Sequence, residues 1–286
     1  MIHLRLMTPR DVPLGMRLKE QAGWNQIEAD WRRCLQLQPD GCFVAEREGV
    51  AVGTVTTCIF GSIAWIAMVL VDVAVRGQGI GRTLLDHALA FLDGRGVATV
   101  RLDATPLGRP LYEQRGFVEE YTLTRFEGIA PLVGAPAAQQ ARRGIVTICP
   151  TCELQERVLR FDRQITGTDR ASLLRHLYTE TPAEWQLAIR GEELLGFTAA
   201  RPGSRAWQIG PCLTTAEAGP PLLADALARR AGQRVFLDVP VENRAAVAAV
   251  TAAAMVPQRP LYRMCRGPKP SERVEYLWTS FGPEKG

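Results

Sequence analysis

VDVAVRGQGIGRTLLDHAL, residues 71–89, places three glycines at alternate positions between an apolar run and a helical pattern. The glycines are Gly77, Gly79 and Gly81, and residues 83–92 then repeat apolar side chains on one helix face. Glycine permits a tight turn and a close approach of the backbone, and the N–H groups that begin a helix attract anions. The stretch therefore predicts a phosphate-binding loop between a strand and a helix.

The glycine spacing separates this loop from two nucleotide-binding motifs. A dinucleotide fingerprint needs G-x-G-x-x-G, whereas the third glycine here comes one residue early. A P-loop needs Gly-Lys followed by Ser or Thr, and the loop holds no lysine. A glycine-rich turn without a ligand is the alternative, although three glycines carry an entropic cost that a plain turn avoids.

Length and composition indicate two globular domains. The chain has 286 residues, of which 47% are hydrophobic and 22% charged, and a domain averages roughly 150 residues. The net charge of +4 is not gathered into a basic run, so we expect no nucleic-acid partner. The longest apolar run, residues 63–71, is too short to span a membrane, and the N-terminus lacks a signal-peptide core, so we expect no membrane association and a cytoplasmic protein.

The seven cysteines are odd in number and scattered, which argues against a secreted disulfide framework. Only Cys149 and Cys152 stand at motif spacing, and a single CxxC lacks the second pair of a structural zinc site. We expect two linker cysteines and no metal site, with a redox or metal role as the weaker alternative.

Hydrophobic periodicity predicts an α/β (α+β) fold, a mixed, mostly antiparallel twisted sheet flanked by helices. Strands are predicted at residues 2–6, 42–47, 50–59, 64–73, 99–104 and 117–126, and helices at 9–21, 27–37, 83–92 and a short stretch ending at 115.

A stretch rich in Gly, Pro and Ala divides the chain into two parts. We predict domains at residues 1–127 and 146–286, joined by a linker at 128–145. The second part repeats the order of predicted elements in the first, and RLDATP at 101–106 resembles FLDVPV at 236–241. These similarities indicate a duplication.

Three segments of residues 1–127 resemble the GNAT acyltransferase superfamily. Residues 76–81, RGQGIG, resemble its R/Q-x-x-G-x-G/A loop, residues 65–72 its fourth strand, and residues 111–117, LYEQRGF, its Y-E-x-x-G-F segment. The resemblance implies two GNAT-like lobes and a loop whose backbone binds the pyrophosphate of coenzyme A.

Family membership also implies an activity and its cosubstrate. The expected enzyme is an N-acetyltransferase that moves an acetyl group from acetyl-CoA to a primary amine of a small molecule or peptide, as a monomer or homodimer. An acyl-CoA-binding sensor or interaction protein with little catalysis is the alternative. The residues expected at the cofactor are Leu70, Val71, Val73, Arg76, Gly77, Gln78, Gly79, Ile80, Gly81, Arg82 and Thr83.

The resemblance assigns catalytic roles to two side chains. Tyr112 is expected to act as a general acid that protonates the departing thiolate, with packing against the sheet as its alternative role. Backbone N–H groups around Leu70 and Val71 are expected to stabilise the oxyanion. Asp72 could act as a general base through water, but holding the loop is its favoured role, so the base remains open.

The stretch AGWNQIEADW, residues 22–31, is expected to line the acceptor side. Trp24 would supply an aromatic wall and Asn25 an amide, with helix packing and helix capping as equally weighted alternatives. In the second part, residues 209–215 replace the glycine loop and include a proline, and no tyrosine lies near residues 248–252. We therefore predict a degenerate second lobe that shapes the acceptor pocket.

Overall fold

The computed structural model of the protein describes residues 1–132, 145–149 and 152–284, without the side chains of residues 152–154. The first half contains β1 (Ile2–Leu6), α1 (Val12–Gln21), α2 (Glu28–Leu37), β2 (Cys42–Arg47), β3 (Val50–Phe60), β4 (Ile63–Val71), α3 (Ile80–Gly94), β5 (Thr99–Ala104), α4 (Arg109–Glu113) and β6 (Val118–Ile129). The second half contains β7 (Val146–Ile148), α5 (Cys152–Thr166), α6 (Ala171–Glu180), β8 (Gln186–Arg190), β9 (Glu193–Arg201), β10 (Trp207–Thr214), α7 (Gly219–Ala228), β11 (Arg234–Pro240), α8 (Arg244–Ala252), β12 (Val256–Arg266) and β13 (Leu277–Thr279).

The two halves follow one order of elements, a strand, two helices, three strands, then helix, strand, helix and strand. This order and the mixed sheet confirm the predicted fold class. The predicted apolar face of α3 is buried, with Leu84, Leu85 and Ala88 among the residues that pack on the sheet. Helix α5 was not predicted from the sequence, and β13 is an addition that the first half does not share.

One continuous sheet joins all thirteen strands of the described residues. Its order is β1-β2-β3-β4-β5-β12-β6-β11-β10-β9-β8-β7, with β13 paired to β10. Only β4 with β5 and β10 with β11 pair in parallel; the other described pairs are antiparallel. Because β12 lies beside β5, and β6 beside β11, each half contributes its last long strand to the other half's part of the sheet.

Two buried ion pairs hold the exchanged strands in place. Arg263 on β12 donates to both carboxylate oxygens of Asp103 on β5, and Arg125 on β6 does the same to Asp238 on β11. Asp103 and Asp238 occupy the same position in RLDATP and FLDVPV. The similarity of the two peptides therefore corresponds to a repeated structural feature.

The predicted linker is described only at its ends. Gly128 and Ile129 belong to β6, and the N–H of Ala130 donates to the carbonyl of Gln233 at 2.8 Å, whereas residues 133–144 lie outside the described residues. The domain division at residues 127 and 146 stays a proposal. A cut at this place would separate β12 from β5, and β6 from β11. No helix among the described residues has the length and apolar character needed to cross a membrane.

Candidate active site

A cleft opens where β4 and β5 separate. The two strands pair in parallel only at residues 63–65 and 99–101, so the last part of β4 faces no strand on that side. Strands that separate at their carboxyl ends leave unpaired backbone groups along the gap, and ligands in open α/β sheets bind at such crevices. The cleft is thus lined on one side by backbone groups of residues 66–71.

A β-bulge bends β4 at the cleft. The pairing with β3 shifts between Thr54 with Leu70 and Thr56 with Ala67, so β4 carries one extra residue. Met68, at this bulge, has a φ of 53°, which L-residues adopt rarely, and its carbonyl accepts a hydrogen bond from Thr54 Oγ1 at 2.8 Å. Bulges re-aim strands next to active sites, and the sequence carried no signal for this one.

The glycine loop leads from β4 into α3 at one end of the cleft. Gly77 and Gly79 have φ values of 78° and 82°, in the left-handed region, and a Cβ built on either would meet no atom within 4 Å. Among the described residues, no backbone carbonyl accepts a hydrogen bond from the N–H groups of Gly77, Gly79 or Gly81. The loop thus presents unused donors at the N-terminus of a 15-residue helix.

Asp72 anchors this loop to α1. Its carboxylate accepts hydrogen bonds from the N–H of Ala74 at 3.1 Å, from Gln21 Nε2 at 3.4 Å and from Arg17. The Arg17 hydrogen bond, followed by that of the Ala74 amide, lowers the pKa of Asp72. Gln21 Oε1 also accepts from the N–H of Val73 at 3.1 Å. Sequence reasoning did not single out Arg17 or Gln21, because their pairing with the loop depends on the tertiary fold.

The other residues predicted at the cofactor differ in what they offer to a ligand. Arg76 and Gln78 are exposed; Arg76 Nε donates to the carbonyl of Val71 at 3.0 Å, and Gln78 accepts from Arg47. Ile80 is buried, so only its backbone faces the loop. Leu70, Val71, Gly81 and Thr83 are buried or half-buried residues, and Val73 and Arg82 are exposed.

Tyr112 lies across the cleft from β4. It lines a cavity together with Ile66, Met68 and Leu102. Its ring packs edge-on against Phe117, with the ring centroids 5.9 Å apart. Burial raises the pKa of Tyr112 above its usual value, so the phenol keeps its proton at neutral pH. Tyr112 therefore packs against the core of the first half and also lines the cavity, with its phenol protonated.

The structure separates the two residues predicted on the acceptor side. Trp24 lines the same cavity as Tyr112. Asn25 instead is 4% exposed, and its side-chain oxygen accepts from the N–H groups of Arg205 and Ala206 while its amide nitrogen donates to the Ala206 carbonyl, each at 3.0 Å. These bonds use the Asn25 amide to join the two halves of the chain.

Four further residues of the cavity come from the second half: Arg259, Leu261, Pro283 and Glu284. The first two reach it because β12 lies next to β5, and the last two follow β13. Glu284 is buried and accepts hydrogen bonds from Gln26 Nε2, at 2.9 Å, and from Arg201. Sequence reasoning missed all four, since strand exchange leaves no local signal.

The equivalent cleft of the second half is filled by the chain itself. Strands β10 and β11 pair only at residues 207–208 and 235–236, and β13 then pairs with β10. The N–H of Ser280 donates to the Asp238 carbonyl at 2.8 Å, which bonds the β13 segment to the other side of the gap. Trp278 covers the start of α7 so closely that a Cβ on Gly219 would lie 2.0 Å from its ring. A ligand would have to displace both features.

One expectation about the second half needs correction. Residues 209–215 were expected at the place of the glycine loop, but residues 209–214 lie within β10, and the turn into α7 is residues 215–218. Eight residues connect β4 to α3 in the first half, whereas only four connect β10 to α7 in the second half. The absence of a glycine-rich loop is nevertheless as expected.

The predicted cysteine pair is only partly described. Cys149 is exposed, and its Sγ accepts a hydrogen bond from Gln186 Nε2 at 3.4 Å. Residues 150–151 and the side chain of Cys152 lie outside the described residues. Within the described part of the chain, no three His, Cys, Asp or Glu side chains are grouped to hold a metal ion.

Known protein families match the chain in two places. The Acetyltransferase (GNAT) family matches residues 13–117, and the Acetyltransferase (GNAT) domain matches residues 158–279. The fold, the open cleft and the two family matches together place the protein in the class of acyl-group transferases. The chain belongs to the GNAT acetyltransferase family, with two GNAT domains, as the resemblance of the glycine loop implied.

Individual proteins are similar over different lengths. The holothin acyltransferase of Pseudoalteromonas sp. (strain SANK 73390) is 26% identical over 251 residues, which cover 86% of this chain and 82% of that protein. The mycothiol acetyltransferase of Thermobispora bispora is 36% identical over 110 residues, 34% of this chain and 37% of that protein. A crystal structure of a Pyrococcus horikoshii protein assigned to the acetyltransferases has a TM-score of 0.83 at 24% identity and covers 100% of this chain and 96% of that one.

Proposed function

We propose that the protein transfers an acetyl group from acetyl-CoA to a primary amine of a small molecule or peptide, in the cleft of its first half. The observation that carries the proposal is the placement of the glycine loop and Tyr112 along one cleft, where β4 and β5 separate. Two relatives are named holothin acyltransferase and mycothiol acetyltransferase, and these names support a small-molecule acceptor.

The loop offers what a diphosphate group requires. Unpaired N–H groups at a helix N-terminus bind anions, and Gly77 and Gly79 leave open space where a side chain would stand. Arg76 and Arg82 add two exposed positive charges beside the loop. In our proposal, residues 76–83 hold the pyrophosphate of coenzyme A, while the unpaired edge of β4 holds the extended arm of the cofactor as an added strand would.

Acetyl-CoA supplies an activated thioester, which a neutral amine attacks. Backbone N–H groups around Leu70 and Val71 then stabilise the charge that develops on the carbonyl oxygen. Tyr112, whose raised pKa keeps it protonated, donates its proton or a hydrogen bond to the sulfur as the thiolate leaves. Its effect falls in the transition state, where the charge on sulfur appears.

Asp72 serves as a loop anchor in this proposal. A carboxylate whose pKa is lowered by Arg17 is a weaker base, and its two oxygens already accept hydrogen bonds from three groups. The amine therefore loses its proton to water or to solvent buffer rather than to Asp72. Changing Asp72 is expected to weaken cofactor binding before it affects the chemical step.

The test is release of free thiol from acetyl-CoA in the presence of a panel of amines. We expect amine-dependent thiol release, with formation of an N-acetylated product detected by mass spectrometry. Asp72→Asn is expected to raise KM for acetyl-CoA with a smaller change in kcat. Binding of acetyl-CoA without thiol release for any amine would overturn the proposal and favour an acyl-CoA sensor instead.

A further inference from the structure

Arg259 lines the cavity and has no hydrogen-bond or ion-pair partner among the described residues. It lies on β12, three residues before Tyr262, which pairs with Ala104 at the end of β5. The guanidinium therefore stands beyond the end of β5, where the cleft is open, and it lines the cavity that also contains Tyr112. Its Nε is fully buried and has no hydrogen-bond partner within the described residues.

Three carboxylates of this region, those of Asp103, Asp238 and Glu284, are already paired with other arginines. Asp103 binds Arg263 through two hydrogen bonds, and Asp238 binds Arg125 in the same way. Both carboxylates are thus hydrogen-bonded to other arginines, and Asp238 attracts Arg259 without forming an ion pair with it.

Glu284, which lines the cavity together with Asp103, is paired with Arg201. Burial and the like charges of Arg125 and Arg205 outweigh the attraction to Asp238 and lower the pKa of Arg259 to about 10, which still leaves the guanidinium charged at pH 7. A half-buried positive charge without a counter-ion is unfavourable, and an anionic ligand would remove that penalty.

We propose that Arg259 binds an anionic oxygen group of the acceptor, so that the substrate is a small apolar amine that also carries a carboxylate. The inference rests on the proposed function and specifies its acceptor. A carboxylate fits the planar guanidinium through two parallel hydrogen bonds, which a neutral amide cannot reproduce. The second half of the chain thereby supplies a specificity-determining side chain to the active site of the first.

The remaining lining defines the body of the acceptor. Apart from its few polar groups, the cavity is bounded by apolar side chains of both halves: Trp24, Ile66, Met68, Leu102 and Leu261. Apolar amino acids combine an amine, an apolar side chain and a carboxylate, and they are the simplest compounds that satisfy all three requirements.

The experiment compares apolar amino acids with their matched carboxamides, and with the corresponding aminophosphonates, as acceptors in thiol release. We expect kcat/KM to favour the anionic acceptors over the amides by at least about tenfold, the scale of a charge-assisted hydrogen bond. A higher kcat/KM for the carboxylates than for the phosphonates would identify the carboxylate as the anionic group that Arg259 binds. Arg259→Gln is expected to abolish the preference, because kcat/KM falls more for the anionic acceptors than for the amides, while Arg259→Lys retains part of it.

Arg244→Gln is the matched control, since Arg244 is exposed on α8, away from the cavity lining. Equal activity on acids and amides, or a preference that survives Arg259→Gln, would overturn the inference while leaving the proposed acetyl transfer intact. Weaker acetyl-CoA binding in Arg259→Gln would also overturn it, because the guanidinium would then serve the donor. If the unmodified protein released no thiol with any amine, the proposed function itself would be refuted.

Discussion

Arg263 and Asp103 form a buried ion pair in which Nε and Nη2 donate to the two carboxylate oxygens at 2.8 and 2.9 Å. The pair joins β12, from the end of the chain, to β5 of the first half. Arg125 and Asp238 form the same pair between β6 and β11. Because each pair crosses between the halves, the cleft of the first half is completed by residues of the second.

The exchanged strands predict that the halves do not fold alone. Residues 1–132 expressed by themselves would leave β5 without β12 and Asp103 without Arg263. A buried carboxylate that loses its partner costs about 3–5 kcal/mol, a large share of the stability of a domain. We expect residues 1–132 to show no cooperative thermal unfolding, and co-expression with residues 133–286 to restore it. Cooperative unfolding and thiol release by residues 1–132 alone would show that the halves are independent domains.

Tyr112→Phe is expected to lower kcat at least about tenfold with little change in KM for acetyl-CoA, because the hydroxyl acts on the leaving sulfur and the ring continues to pack. Steady-state thiol release measures both constants. Tyr262→Phe is the control, since Tyr262 is also half-buried but lies outside the cavity lining. Equal turnover of the Tyr112→Phe variant and the unmodified protein would leave Tyr112 with its packing role only.

Gly79→Glu is expected to abolish acetyl-CoA binding while the protein remains folded. The carboxylate would stand in the open space above the loop and repel the phosphates, and the positive φ costs roughly 1–2 kcal/mol for any side chain. Gly61→Glu controls for that strain, because Gly61 has a φ of 66° and open space in the turn between β3 and β4. Calorimetric titration that found equal affinity in the two variants would refute the assignment of the loop.

The pairing of Glu272 with two arginines predicts that the free energy of unfolding depends on pH. Attraction to Arg101 and Arg263 outweighs burial and lowers the pKa of Glu272 to about 2, from 4.5. Since the folded state binds this proton more weakly, the stabilisation is present above pH 4.5 and is lost as the pH falls towards 2, and it amounts to about 3 kcal/mol at neutral pH.

Urea unfolding of Glu272→Gln tests this expectation. The variant should be less stable than the unmodified protein at pH 7, and the difference should fall to roughly half or less at pH 3. Glu217→Gln is the control, since Glu217 pairs with Arg190 at the surface and should change stability little at either pH. A difference of equal size at both pH values would show that Glu272 acts through packing or neutral hydrogen bonds.

The sequence correctly predicted the features that depend on a local pattern of residues. Apolar periodicity located α3 and the strands around it, and the alternation of Gly77, Gly79 and Gly81 located the loop. The echo between residues 101–106 and 236–241 indicated a duplication, which the matched pairs of Asp103 and Asp238 then explained.

Features that depend on distant parts of the chain were not predictable. Nothing in residues 256–266 indicates that β12 lies beside β5, and so neither Arg259 nor Glu284 could be placed at the cavity. Asn25 was expected on the acceptor side because it follows Trp24, but its amide bonds to a turn about 180 residues further along the chain. Partners at such sequence separation are chosen by tertiary packing, which a single sequence does not display.

The central claim is that one acetyl-CoA binds per chain, in the cleft of the first half. The second cleft holds β13 between β10 and β11, with Trp278 over the start of α7, so it has no room for the cofactor. Calorimetric titration of the full-length protein with acetyl-CoA is the most direct test. We expect saturation at one equivalent per chain, and no binding in Gly79→Glu; saturation at two equivalents, or binding that survives Gly79→Glu, would contradict the claim.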